Sequence, residues 1–250
     1  MNSIPLLTLA ALTGSDDNFI DHASLERPVH RNIVSAWQKL AADARAAGFD
    51  LAIASGYRNY QRQLHIWNAK VRGERAVLDT HGAPLDLSAA SDWEKIQAIL
   101  RWSALPGASR HHWGTDIDVY DRAAVPEGYA LQLTADEASD SGPFGALHRW
   151  LDGRIAADSA HGFFRPYAED RGGIAPERWH LSFAPLAVRY QRQLKADTLW
   201  KEIDAPTLEL RETIAQHWPA IFERYIWVPA LAHPEPFRER LTVDRTSNDQ

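Results

Sequence analysis

Short strand-like runs separated by helical segments of unequal length limit this chain's fold more than any other feature. "LAIASGYR" opens on an apolar run, Leu51 to Ala54, and turns at Ser55-Gly56. "TDIDVY" alternates polar and apolar residues with the period of a half-buried strand, and "WHLSF" reads as a further short strand. Around them, Ile33, Trp37, Leu40, Ala44 and Ala47 recur at helical spacing, and Gly48 suits the C-terminal cap. A second helix is expected from about Tyr60 to Lys70. Residues 71–90 read as loop, with Gly73, Gly82 and Pro84. Ser91 and Glu94 form a capping-box pattern before "WEKIQAILRW". The stretch from Pro126 to Gly142 is loop-rich and acidic, and Phe144, Leu147, Leu151 and Ile155 mark another helix. "APLAVRYQRQL" begins a helical C-terminal region that reaches about Trp227.

No regular βαβ rhythm connects these pieces, so the expected class is α+β rather than doubly wound α/β. Residues 1–196 are expected to form the main domain. Residues 197–250 are expected to form a helical extension whose last twenty residues, polar and proline-containing, fray. "YQRQL" occurs at 60–64 and again at 190–194, but the flanking sequences share nothing else, so no repeat is inferred.

The 250 residues suffice for a proper core. A net charge of −6 without a basic block argues against a nucleic-acid partner. The absence of cysteine excludes disulfides, thiolate metal sites and a cysteine nucleophile. No segment approaches the apolar length of a membrane span. "MNSIPLLTLAALTG" is a short apolar run containing Pro5, and the first basic residue is Arg27, so the stretch reads as part of the folded domain rather than a secretory signal. A cytoplasmic location is therefore expected, with the periplasm as the alternative. Ten tryptophans are many for this length; such side chains fill cores and also line ligand grooves.

Three segments carry candidate chemistry. "SRHHWGTDID" sets paired histidines ahead of two aspartates, which raises the question of which histidine and which aspartate could hold a metal. "ERWH" places Glu177 three residues before His180, on a turn entering a strand. A zinc hydrolase needs three protein ligands, an open position for water and an unligated carboxylate beside it. Glu177 as proton shuttle and His180 as ligand suit that need, although no HExxH motif is present. "SGYRNYQRQ" follows a strand with a tight turn and then Arg58, whose guanidinium suits a carboxylate clamp or an oxyanion partner.

In this order the three segments resemble the VanY-type zinc carboxypeptidases of bacterial cell-wall peptides. These belong to a wider fold group with lysostaphin, the D-Ala-D-Ala metallopeptidases and the hedgehog signalling domain. The matching residues are Ser55, Gly56, Tyr57, Arg58 and Gln63; Ser109, His111, Gly114 and Asp118; and Glu177, Trp179 and His180. "HGFFRPY" at 161–167 also resembles the family's Gly-Phe strand. The resemblance spans about residues 50–185. It implies a small antiparallel sheet flanked by helices (the LAS-type, hedgehog-like peptidase fold) and one zinc per chain held by His111, Asp118 and His180. His112 and Asp116 are then not ligands. Asp116 lies on the same strand face as Asp118 and could instead hold a ligand in place. Asp116, where the family often has a small apolar residue, and Arg178, where it often has proline, are departures.

The resemblance further implies metal-assisted peptide hydrolysis with Glu177 as general base and acid. Arg58 would hold the substrate's terminal carboxylate or steady the oxyanion. Ser55, Tyr57, Gln63, Ser109 and Trp179 are expected substrate contacts. The leading expectation is removal of the terminal D-amino acid from a peptidoglycan stem peptide, as an L,D-carboxypeptidase acting on tetrapeptides in wall recycling. Alternatives are D,D-carboxypeptidase action on pentapeptides, a peptidoglycan endopeptidase, and a non-enzymatic zinc-binding module. The retained Glu177 weighs against the last, because that carboxylate serves proton transfer and not coordination.

Overall fold

A computed structural model describes residues 6–242. The strands are β1 (Ile20–Asp21), β2 (Val29–His30), β3 (Leu51–Ser55), β4 (Asp116–Asp121), β5 (Phe163–Phe164) and β6 (His180–Phe183). β1 and β2 form a small antiparallel ribbon. The other four make an antiparallel sheet in the order β3-β4-β6-β5. The helices begin with α1 (Leu9–Leu12), α2 (Val34–Ala46), α3 (Tyr60–Val71), α4 (Asp92–Leu100), α5 (Ala135–Ala138) and α6 (Gly145–Ala156). They continue with α7 (Ala184–Gln191), α8 (Ala196–Ile203), α9 (Arg211–Gln216), α10 (Trp218–Ile221) and α11 (Glu235–Thr242). The α+β class and the antiparallel sheet are as expected.

Local signals place most elements. Gly48 takes the left-handed conformation, φ 92°, just past α2. Ser91 and Glu94 form both halves of the capping box on α4. The loop over residues 71–90 contains only an isolated bridge between Leu78 and Pro84. α5 is the one described helix in the Pro126–Gly142 stretch, fixed by a capping box between Thr134 and Glu137. The apolar faces of the sheet and helices meet in one core that includes Trp37, Trp67, Ile96, Trp113, Ile117 and Leu181.

The C-terminal helices share that core through Leu199, Ile203, Ile214, Trp218 and Ile221. Trp67 Nε1 donates to the Glu209 carbonyl at 3.1 Å, and Gln191 Nε2 donates to the Val228 carbonyl at 2.7 Å. Within the last twenty residues, α11 is a helix that packs on α7 and buries Leu241. Phe237 and Leu241 stand four apart, so even this polar segment carries an apolar edge. Residues 243–250 lie outside the described residues. At the other end, Thr8 caps α1, Ala11 and Leu12 are buried, and the Leu12 carbonyl accepts from Trp113 Nε1 at 3.2 Å.

Strand register assembles the site. Asp118 on β4 stands opposite His180 on β6 and, across a register shift between Ile53 and Ser55, opposite Ser55 on β3. Residues directly opposite across a sheet share a face. Side chains more than sixty residues apart in sequence therefore meet in one row.

Candidate metal centre

His111 sits on a 3-10 turn, Arg110–Trp113, that ends at Gly114 with φ 63° before β4 begins. A Cβ on Gly114 would lie 2.5 Å from Ile20 Cδ1 and 2.6 Å from the His30 nitrogen. Only glycine lets the turn close against the β1–β2 ribbon. Gly56 meets a different need: its Cβ would fall 2.3 Å from the Pro28 carbonyl oxygen. That close approach positions the Gly56 carbonyl, which accepts from His111 Nδ1 at 2.9 Å. The proton is thereby kept on Nδ1, and Nε2 is left as a free donor atom.

His111, Asp118 and His180 converge, with one potential ligand atom from each lying within 4.8 Å of the others. His111 Nε2 is 3.4 Å from Asp118 Oδ2, and His180 Nδ1 is 3.2 Å from Asp118 Oδ1. Ligands about 2.0–2.1 Å from a tetrahedral zinc stand roughly 3.3 Å apart, and these two separations match that spacing. His112 is not part of the group. Its Nδ1 donates to the Arg58 carbonyl at 2.5 Å and its Nε2 accepts from the Gly107 nitrogen at 3.0 Å. Burial lowers its pKa to about 3.

Asp116 holds His180 from behind, where His180 Nε2 donates to Asp116 Oδ1 at 3.0 Å. This fixes the tautomer that leaves Nδ1 free on the metal side. The other partners of Asp116 are Arg110 Nε at 2.8 Å, Thr115 Oγ1 at 2.7 Å and Ser182 Oγ at 3.1 Å. Arg110 also donates to Gln191 Oε1 and Ser182 Oγ, and its guanidinium lies 4.8 Å from the Trp113 ring centroid. Burial pushes the Asp116 carboxyl up, but Arg110 and His180 outweigh it and hold the group below the usual carboxylate range. Asp118 behaves likewise, with the His111 and His180 imidazoles overcoming its burial. Burial works against a charged His180, yet hydrogen bonds with Asp116, Asp118 and Glu177 raise its pKa well above the ordinary value in the metal-free protein.

Glu177 Oε2 lies 3.4 Å from His180 Nδ1, and the two are joined by a turn in which the His180 nitrogen donates to the Glu177 carbonyl. Arg178, within that turn, donates to Asp152 Oδ2 at 2.6 Å and Asp140 Oδ1 at 2.8 Å. These ion pairs tie the turn to α6 and the loop before it, at a position where proline is frequent in the family that the motifs resemble.

The expected substrate contacts divide. A cavity of about 260 Å³ is lined by His111, Asp118, Glu177, His180 and Arg58 together with Ser109 and Trp179. Ser55, Gln63 and Tyr57 do not line it. Ser55 Oγ and Gln63 Oε1 accept from Arg58 Nη2 at 3.2 Å and Nη1 at 2.8 Å, so both hold the arginine. Tyr57 turns away, its hydroxyl donating to the Gly14 carbonyl at 3.3 Å. Burial lowers the Arg58 pKa, opposed by the nearby Asp118 and Glu177 charges, and a guanidinium keeps its charge under such shifts.

Several cavity residues escape the sequence reading. Tyr167 stands edge-on to His180 with ring centroids 5.0 Å apart, and burial pushes its phenol pKa up. Trp102 stacks on Trp179 at 6.2 Å. Lys70, Arg75 and the loops over residues 76–82 and 132–135 supply further wall. Only Tyr167 had a signal, as the last residue of "HGFFRPY".

Three converging ligand atoms, an unligated carboxylate beside them and an arginine on the cavity wall define a metallopeptidase-type centre on an α+β scaffold. The chain belongs to the family described as VanY, D-alanyl-D-alanine carboxypeptidase, whose model matches residues 26–186. An uncharacterized protein of Haemophilus influenzae is 53% identical over 72 residues, covering 29% of this chain and 49% of that one. A second uncharacterized Haemophilus influenzae protein is 31% identical over 123 residues, covering 49% of this chain and 92% of that one. A D-alanyl-D-alanine carboxypeptidase of Enterococcus faecalis is 29% identical over 149 residues, 58% of this chain and 44% of that protein. The chain thus spans about half the length of several curated relatives. Among solved structures, a variant of the vancomycin-resistance D,D-pentapeptidase VanY in complex with Zn(II) aligns with a TM-score of 0.46 at 22% identity. That alignment covers 74% of this chain and 92% of that one.

Proposed function

We propose that this chain is a zinc carboxypeptidase that releases the terminal D-amino acid from peptidoglycan stem peptides, acting as an L,D-carboxypeptidase on tetrapeptides. The observation that carries the reading is Glu177 standing 3.4 Å from a ligand atom of the His111–Asp118–His180 group, with Arg58 lining the same cavity. His111 Nε2, Asp118 and His180 Nδ1 would hold the metal, each imidazole presenting the nitrogen that its protein hydrogen bond leaves free. When bound, zinc lowers the pKa of a coordinated water and polarises the scissile carbonyl. Glu177 takes the proton from the attacking water and returns it to the leaving amine as the peptide C–N bond breaks. Arg58, held by two uncharged partners, keeps its own charge for the substrate's terminal carboxylate.

The L,D preference rests on a cytoplasmic site of action, which is part of the proposal. There, a D,D-carboxypeptidase would destroy the D-Ala-D-Ala ends that new wall precursors need, whereas trimming a recycled tetrapeptide returns a reusable tripeptide. Purified zinc-loaded protein, incubated with tetrapeptide and pentapeptide and followed by mass spectrometry, is expected to release one D-amino acid from the tetrapeptide and leave the pentapeptide largely intact. Preferred cleavage of the pentapeptide overturns the L,D assignment. Cleavage of neither overturns the carboxypeptidase reading.

A further inference from the structure

Besides Arg110, which is paired with Asp116, three cations line the cavity: Arg58 just before α3, Lys70 in its last turn and Arg75 in the loop beyond it. None is neutralised by an ion pair of its own among the described residues. Arg58 rests on Ser55 and Gln63, and Lys70 Nζ donates to Ser103 Oγ at 2.7 Å. Neighbouring arginines differ: Arg72 pairs with Glu74 and Glu209, and Arg101 pairs with Asp170. The carboxylates of the same cavity are otherwise engaged. Asp118 and Glu177 belong to the metal centre, and Asp79 Oδ1 accepts from the His81 and Ala83 nitrogens.

Lys70 and Arg58 are seated on adjacent residues. Ser103 holds the Lys70 ammonium, and the Ala104 carbonyl accepts at 2.6 Å from Gln63 Nε2, whose oxygen holds Arg58. Burial, and then the charges of Arg75 and Arg58, bring the Lys70 pKa down to about 8. Like charges thus face one space, and an anion placed there relieves their repulsion. A terminal carboxylate engages one guanidinium in two-point fashion, which leaves Lys70 and Arg75 without a counter-charge.

We propose that Lys70 and Arg75 form a second carboxylate subsite, which takes a side-chain carboxylate on the residue preceding the released one. This rests on the carboxypeptidase reading, with Arg58 on the terminal carboxylate. The chemical class is a peptide whose penultimate residue is a diamino dicarboxylic acid. A peptide ending in two alanines has only a methyl group at that place and leaves the subsite empty.

The test is calorimetric binding to the zinc-loaded Glu177→Ala protein of two tetrapeptides that differ only before the terminal D-alanine, one with diaminopimelate and one with lysine. The diacid peptide is expected to bind at least ~10-fold more tightly, the usual worth of a hydrogen-bonded charged contact. Arg75→Gln and Lys70→Gln, each added to Glu177→Ala, should reduce that ratio to below ~2-fold, whereas Arg72→Gln, outside the cavity, should preserve it. Equal affinity for the two peptides, binding of neither, or a ratio that survives in the Lys70→Gln/Arg75→Gln double variant overturns the subsite. Hydrolysis by the protein with Glu177 intact is scored separately. A binding preference without cleavage of either peptide refutes the carboxypeptidase reading and leaves the anion subsite standing. Cleavage without a binding preference does the reverse.

Discussion

Replacing Asp116 by asparagine removes a charge from the interior of the sheet and keeps its shape. The carboxylate accepts from His180 Nε2 and Arg110 Nε at one oxygen and from Thr115 Oγ1 and Ser182 Oγ at the other. An amide can keep its oxygen toward His180 and Arg110 and turn its nitrogen toward the two hydroxyls, which can rotate to accept. The hydrogen-bond geometry can survive, but the charge cannot. The Arg110 side chain is 2% exposed and Asp116 is its only acidic partner among the described residues. Breaking a buried pair from one side costs about 3–5 kcal/mol, which in a chain of this size lowers Tm by roughly 6–20 °C. The metal should register the change too. His180 loses an ionised acceptor behind it, and loss of such a partner weakens metal affinity about 10–100-fold. Thermal melts of the metal-free protein and zinc titration against a chromophoric chelator measure the two effects separately. A cycle with Arg110→Met isolates the pair: that change should cost less in the Asp116→Asn background than in the wild type. An unchanged Tm together with unchanged zinc affinity in Asp116→Asn would refute this account of the buried network.

Removing a ligand by His111→Ala or His180→Ala should abolish tight zinc binding, whereas His112→Ala should keep the metal and lose stability; equilibrium dialysis with metal analysis distinguishes them, and the opposite pattern at 111 and 112 defeats the ligand assignment. Glu177→Ala should retain zinc and fold yet lose at least ~10²-fold in kcat on a cleavable stem peptide, and near-normal turnover would end its role as proton shuttle. Arg58→Lys keeps the charge but loses the planar fork, so activity on peptides with a free terminal carboxylate should fall; equal wild-type rates on C-terminally amidated peptides would remove the clamp. Burial depresses His30 to about 4, His148 to about 3 and His233 to about 4. The unfolded chain takes up protons near pH 6.5 that the folded chain refuses, so stability is full above that pH and falls as pH drops toward 4, by on the order of 1 kcal/mol per unit per histidine. A urea midpoint unchanged between pH 7 and pH 5 would contradict this.

In the sequence, the choice of His111 over His112 and of Asp118 over Asp116 rests on the resemblance to the VanY-type motifs; the structure joins His111 to Asp118 by one turn and one strand, and Glu177 to His180 by another turn. Period-two alternation also showed that Asp116 shares a face with Asp118, and the structure sets these carboxylates at the two nitrogens of one imidazole. What the sequence could not show was the partner of each polar side chain. Ser55, Tyr57 and Gln63 have the residue types of substrate contacts, yet two hold Arg58 and the third reaches Gly14. Lys70 has the position of an ordinary basic residue in a helix's last turn, where it complements the dipole, and nothing local distinguishes it from one. Its place on the cavity wall is set by Ser103, thirty-three residues away.

The C-terminal extension was opaque for a related reason, and it bears on the metal centre. Arg110 is fixed on one side by Asp116 and on another by Gln191, whose oxygen accepts from Arg110 Nη1 at 2.9 Å. Gln191 has one orientation available, because its nitrogen donates to the Val228 carbonyl at 2.7 Å. Reversing that amide would set its nitrogen against the guanidinium and its oxygen against a carbonyl, two repulsive contacts in a buried place. A backbone carbonyl between α10 and α11 therefore fixes Gln191, Gln191 helps fix Arg110, and Arg110 with Asp116 fixes the imidazole of His180. The sequence reads as a helical region from "APLAVRYQRQL" to about Trp227, but this relay depends on single atoms and is decided only when α7 and the segment after α10 meet.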